Sequence, residues 1–232
     1  MKKILFMFVV FLLVYGSVRA QNSFSYGEEL FMNNKPDEAL KYLEAAVVED
    51  PAFVKAHLYL GIVYIQLRRL DDAITIYKRI LPRAGNDTAL IAYNLGNAYF
   101  IKGQPAFAQQ FYSQAIDMDG TFASAYLNRA NSLIRSGAVG EAVPDYQQFL
   151  MLEPQSPKKP QIERLITFIR DEIAAEEQRK QLAEELARQE EERRRQLLDD
   201  ITASLQAAST ESQGVSAGSE DVLGYEGEFE LE

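Results

Sequence analysis

The sequence predicts an all-α protein: a solenoid of helix-turn-helix pairs, then a long charged helix and a disordered acidic tail. Three observations predict it. Alanines recur at Ala39, Ala73, Ala108 and Ala142, spaced 34, 35 and 34 residues apart. Twelve residues before each stands another small residue, Gly27, Gly61, Gly96 or Ala130. Turn signals fall between the two positions: "NNKP" (Asn33 to Pro36), "KGQP" (Lys102 to Pro105) and "SGAVG" (Ser136 to Gly140). A period of this length marks stacked units, none of which can bury its apolar face alone.

More positions keep the same register. Four residues after each alanine come Leu43, Tyr77, Tyr112 and Tyr146. Pro51, Gly85, Gly120 and Pro154 follow at twelve. Three residues after the small residues stand Leu30, Tyr64, Tyr99 and Leu133, giving "LGIVY" (Leu60 to Tyr64) and "LGNAY" (Leu95 to Tyr99). The pattern resembles the tetratricopeptide repeat, whose signature is L-G-x2-Y, then A-x3-F, then P. The resemblance covers residues 21–154 as four repeats, about 21–53, 54–87, 88–122 and 123–156. Departures are the missing Trp, whose places hold Ser23, His57, Ala92 and Tyr126, and Ala130 where glycine is usual. The resemblance implies two antiparallel helices per repeat. Their packing residues are Gly27, Ala39, Gly61, Ala73, Gly96, Ala108, Ala130 and Ala142. Gly96, within "YNLGNAYF", is then a packing glycine. Its helix-propensity deficit of about 1 kcal/mol is offset by close helix contact.

In this family the first helix of each repeat faces a groove. By repeat position the groove residues are expected at Tyr59, Ile62, Tyr93, Asn94, Asn97, Phe100, Leu127, Asn128, Asn131 and Arg135. Asn94 and Asn128 share one repeat position, and Asn97 and Asn131 another. An amide offers a donor and an acceptor, so such a ladder can pair with the backbone of an extended peptide. The alternative is that the amides hydrogen-bond between neighbouring helices. The carboxylate clamp of the chaperone adaptors in this family is missing, since Phe24, Leu58, Tyr93 and Leu127 hold the fifth positions.

The flanks have their own chemistry. Residues 1–20, "MKKILFMFVVFLLVYGSVRA", read as a secretory signal peptide: two lysines, an apolar run, then Val18 and Ala20 before a cut. The run is shorter than the ~20 residues of a membrane span; the alternative is an uncleaved anchor. The brief basic segment points to bacterial export, and the mature chain to a periplasmic or secreted protein without a membrane span. Residues 157–206 read as a capping helix, marked by Ile162, Ile166, Ile169 and Ile173, running into a long charged helix. There Glu176 with Lys180, Glu184 with Arg188, Glu190 with Arg194 and Glu191 with Arg195 stand four apart. A heptad core fails across "RQEEERRR", so the helix reads as a solvated spacer, with oligomerisation through it as the alternative. Residues 207–232 read as a disordered acidic tail holding seven acids and no base. Leu223, Tyr225, Phe229 and Leu231 make it a candidate docking motif; an inert solubilising tail is the alternative.

Composition narrows the function. The 232-residue chain has net charge -10 and no cysteine. That speaks against nucleic-acid binding and excludes disulfides and thiol chemistry. His57 is the sole histidine, and no Ser-His pair, phosphate loop or metal spacing accompanies it. The expected function is a non-catalytic, cofactor-free interaction scaffold of the cell envelope, taking a protein or peptide in its groove. The alternatives are an envelope structural protein assembling through the long helix, or an accessory subunit of an envelope enzyme.

Overall fold

The computed structural model describes residues 19–217, with side chains described to residue 209. The signal segment up to Val18 and the tail motif of Leu223, Tyr225, Phe229 and Leu231 lie outside the described residues. Every α-helix of the repeats falls into one of four pairs. These are α1 (19–32) with α2 (Pro36–Glu49), α3 (Val54–Gln66) with α4 (Leu70–Ile80), α5 (Thr88–Ile101) with α6 (Pro105–Met118), and α7 (Ala123–Arg135) with α8 (Ala142–Leu152). A final helix, α9, runs from Lys159 to Ala217. The chain divides into two units, residues up to Asp171 and residues from Glu172.

Close approach at one point sets the geometry of a pair. A Cβ added to Gly61 would lie 2.2 Å from the Tyr77 ring, and one added to Gly96 would lie 2.6 Å from the Tyr112 ring. Each tyrosine from the second helix thus rests on bare backbone of the first. Both rings are fully buried, and burial pushes their hydroxyls well above the ordinary phenol pKa. The Tyr77 hydroxyl donates to the Leu58 carbonyl at 3.2 Å. Ala73 and Ala108, four residues before these tyrosines, are fully buried as well.

Each first helix ends in the same way. Asn34, Arg68, Gly103 and Gly137 have φ of 58°, 61°, 83° and 87°. The N–H of the next residue reaches back to the carbonyl of Leu30, Tyr64, Tyr99 or Leu133, at 2.8–3.0 Å. This is the Schellman closure, which satisfies the open carbonyls of a helix end with one left-handed residue. Glycine suits that residue in repeats 3 and 4. In repeat 2 an arginine bears the strain of roughly 1–2 kcal/mol.

His57 is fully buried and its protonation state follows from its neighbours. Arg79 Nη2 lies 3.3 Å from Nε2, and a guanidinium can only donate. Nε2 is therefore an acceptor, the proton sits on Nδ1, and Nδ1 donates to the Phe53 carbonyl at 3.0 Å. Burial holds the ring below its usual pKa, against the opposing pull of that carbonyl. The histidine is a neutral packing element.

The apolar core is not continuous. One cluster runs from Phe24 through Leu43, Leu60, Tyr77 and Leu95 to Tyr112, across repeats 1 to 3. A second holds Leu127, Tyr146 and Phe149 of repeat 4 together with Ile162, Ile166 and Ile169 of α9. These three isoleucines are at most 7% exposed, so the start of α9 covers the last repeat. Ile173 is 39% exposed and adds little to that face. Within the second unit, Arg188 pairs with Glu185 at 3.6 Å, and none of the four expected i, i+4 pairs forms among the described residues. Exposed arms of this length gain little from any one partner. The helix also extends past residue 206 to Ala217. Residues 207–217 therefore belong to it rather than to a disordered tail, Ala207 and Ala208 being strong helix formers.

Two glycine substitutions should act in opposite directions. Gly61→Ala forces the Tyr77 ring aside and should destabilise by about 1–3 kcal/mol. Arg68→Gly relieves a left-handed residue and should stabilise by about 0.5–1 kcal/mol after the unfolded chain's extra freedom is counted. Urea titration of the chain from residue 21 reads both.

Candidate interaction face

The first helices α1, α3, α5 and α7 present one side chain layer per repeat. Tyr59, Ile62, Tyr93, Asn97, Phe100, Asn128 and Asn131 are all half-buried there, and Arg135 is exposed. Two expected members are not on the surface. Asn94 is 8% exposed and Leu127 is 7% exposed. Asn94 spends its amide on its own helix, Nδ2 donating to the Leu90 carbonyl at 2.9 Å. Leu127 is drawn into the second core cluster. At the same repeat position as Asn94, Asn128 does something else, because its neighbours differ.

The remaining amides join helices. The Tyr112 hydroxyl donates to Asn97 Oδ1 at 2.8 Å, and Asn128 Nδ2 donates to the same oxygen at 2.9 Å. Asn128 Nδ2 also reaches the Tyr93 hydroxyl at 3.1 Å. In repeat 4 the Tyr146 hydroxyl donates to Asn131 Oδ1 at 2.8 Å. Each amide is used on one side only. Asn97 Nδ2, Asn131 Nδ2 and Asn128 Oδ1 make no hydrogen bond among the described residues, and none is a buried orphan, so each keeps contact with solvent.

Arg135 is a staple between repeats. Its Nη1 donates to the Phe100 carbonyl at 3.1 Å, and its guanidinium stands 5.1 Å from the Phe100 ring centre. A cation at the C-terminal end of α5 is favourably placed against the helix dipole. At the other end of the face, Tyr59 meets the rings of Phe24 and Phe31 at 5.4 and 5.3 Å. Lys55 lies over Tyr59 and pairs with Glu28 at 3.2 Å. Burial, then the Glu28 carboxylate, raise the Tyr59 hydroxyl. Glu28 and Lys55 were not anticipated; opposite charges 27 residues apart carry no visible signal until the repeats stack.

A cavity of about 230 Å³ closes the face at repeat 4. Leu127, Asn131, Tyr146, Lys158, Gln161 and Ile162 line it. It offers an apolar floor with an amide and an ammonium at its rim. No cluster of His, Cys, Asp and Glu able to hold a metal occurs among the described residues. No helix among them is long and apolar enough to cross a membrane.

Helix pairs closed by repeated Schellman turns and packed by a tyrosine on glycine define a stacked-repeat interaction fold. The chain belongs to the tetratricopeptide repeat family: two profiles of that description match residues 30–93 and 93–160. A TPR repeat-containing protein of Methanocaldococcus jannaschii is 33% identical over 89 residues, 37% of this chain and 28% of that protein. The chain thus spans little more than a quarter of that relative. Among solved structures, MamA superposes with a TM-score of 0.58 at 21% identity, covering 64% of this chain and 84% of that one. YrrB, described as a TPR protein with an unusual peptide-binding site, gives 0.50 at 21% identity, covering 57% and 68%. At these identities the likeness is one of fold.

A double-mutant cycle should isolate the amide bridge between repeats 3 and 4. Asn97→Ala and Asn128→Ala are expected to couple by about 0.5–1.5 kcal/mol in unfolding free energy. Strict additivity would mean that the bridge adds nothing.

Proposed function

We propose that this protein is a non-catalytic scaffold, exported to the cell envelope, that takes an extended segment of a partner protein along the first-helix face. The half-used amides carry the reading. Asn97 and Asn131 occupy one repeat position, each with its oxygen fixed by a tyrosine and its Nδ2 open. Fixed donors one repeat apart, with the Asn128 acceptor between them, match the alternating donors and acceptors of a peptide backbone. Partly exposed Ile62, Tyr93 and Phe100 supply apolar contact, and the cavity beside Asn131 accommodates one side chain of the bound segment. The unusual peptide-binding site of YrrB supports the reading by analogy of fold. Export rests on the N-terminal segment, and a test of it is whether the mature chain begins at Gln21.

The two roles of the amides can be separated. Asn97→Asp with Asn131→Asp keeps the oxygen that each tyrosine needs and removes the open donor. Partners are first captured by crosslinking in intact cells and identified. The double variant is then expected to unfold within about 1 kcal/mol of the parent, while binding the captured partner roughly tenfold or more weakly. Unchanged affinity would return the asparagines to packing alone. Capture of no specific protein would count against the scaffold.

A further inference from the structure

The second unit carries apolar side chains that nothing covers. Leu182, Leu186, Leu197, Leu198, Ile201 and Leu205 are 47–66% exposed. Heptad spacing holds only from Leu198 through Ile201 and Leu205 to Ala208, while across the whole segment Leu186 and Leu197 keep an 11-residue period with flanking alanines. Ala175, Leu186, Leu197 and Ala208 stand eleven apart, as do Ala187 with Leu198 and Ala183, Arg194 and Leu205. Eleven residues in three turns are 3.67 per turn, so the stripe runs nearly parallel to the helix axis with a slight right-handed drift. It is about 50 Å long.

Charges interrupt it, at Arg179, which stands eleven before Glu190 and twenty-two before Ile201, and around Glu190. Glu190 and Arg194 fall on the stripe, with Arg193 at its edge, and neither Glu190 nor Arg194 has an ion pair among the described residues. Between Leu186 and Leu197 the order along the stripe is apolar, acid, base, apolar, and Arg179 lies outside that interval. In the reverse direction it is apolar, base, acid, apolar. A second helix laid antiparallel therefore matches it position by position, which is the self-complementarity a two-fold interface requires. Laid parallel and in register, Glu190 would face Glu190 and Arg194 would face Arg194, which repels. Glu192 points away from the stripe by its helical position, and Glu191 lies at the edge marked by Ala187 and Leu198.

We propose that residues 175–208 pair antiparallel with the same segment of a second copy of the chain, about a two-fold axis between Glu191 and Glu192. Leu186 then meets Leu197 and Leu198 of the other copy, Leu182 meets Ile201, Ala175 meets Ala208, and Glu190 meets Arg193 and Arg194. The pairing is independent of peptide binding, since it uses no residue of the repeats.

The test uses the chain from residue 21 to 232, which has no cysteine of its own. Sedimentation should show a concentration-dependent dimer. Glu190→Arg should raise its dissociation constant about tenfold or more, and Glu190→Arg with Arg193→Glu and Arg194→Glu should recover most of the loss. Under oxidation, Leu186→Cys mixed with Leu197→Cys should cross-link as a mixed dimer, while neither variant cross-links alone. Circular dichroism checks that the repeats stay folded. A monomer at every concentration overturns the pairing. Self-cross-linking of Leu186→Cys, or a charge swap that fails to recover, overturns its direction. Binding of the segment to anionic or neutral lipid vesicles in place of a dimer overturns the choice of occupant.

Discussion

A tyrosine ring lying on a glycine is the contact from which the repeat unit is built. In repeats 2 and 3 no Cβ fits beneath the ring of Tyr77 or Tyr112. The two helices can approach only because one contributes no side chain at that point. The buried ring then has to place its hydroxyl somewhere, since an unmet buried donor costs about 1–3 kcal/mol. In repeat 2 it turns to a main-chain carbonyl of the facing helix, that of Leu58. In repeats 3 and 4 it turns to an asparagine, Asn97 or Asn131. The side chain that closes a pair therefore also fixes which polar group is presented on the first-helix face.

Local chemistry made the fold legible in the sequence. Small residues, tyrosines and turn residues recur at one period because each repeat solves the same packing problem. The left-handed turn residues keep that period too, yet Arg68 hides it, since an arginine bears no mark of the conformation its neighbours impose. What could not be read was the fate of each amide. Asn94 and Asn128 hold equivalent positions, and periodicity alone assigns both the same role. The structure turns Asn94 back on Leu90 and sends Asn128 across to Asn97. The difference lies in the preceding repeat. Before Asn128 stands a repeat with Tyr93 and Asn97 to receive it, while before Asn94 the matching positions are Leu58 and Ile62, whose side chains accept no hydrogen bond.

That asymmetry concentrates polar contact at one junction. The apolar core breaks between repeats 3 and 4, where a small separate cluster of Ala92, Ala115 and Ala125 packs with the partly buried Leu81, Tyr93, Ile116 and Phe122. The missing apolar contact is replaced by specific hydrogen bonds. Arg129, held within repeat 4 by two bonds to Asp145 of 2.7 and 2.6 Å, donates a third across the junction to Ser113 at 2.9 Å. Gln109 donates to Ser136, Asn128 to Asn97, and Arg135 to Phe100. Hydrogen bonds demand alignment in a way that apolar contact does not, so this junction sets the register of repeat 4 tightly. It is also where the open halves of Asn97, Asn128 and Asn131 fall.

The long helix changes its period where its role changes. Ile162, Ile166, Ile169 and Ile173 advance by four, three and four residues, the spacing of one face turned toward packed helices. Past Glu172, Ala175, Leu186, Leu197 and Ala208 advance by elevens. A stripe of that period is hard to see in a charged sequence, because heptad spacing holds from Leu198 to Ala208 and is lost upstream at Arg194 and Glu191. It is also the period that wanders least around a straight helix. A segment meant only to stay solvated needs no such alignment, since charged residues all round would serve. Leucines held to one side over about 35 Å expose apolar surface that water opposes, and the opposition ends when a matching surface covers them. The charge order at Glu190 and Arg194 allows that surface to be the same segment running the other way.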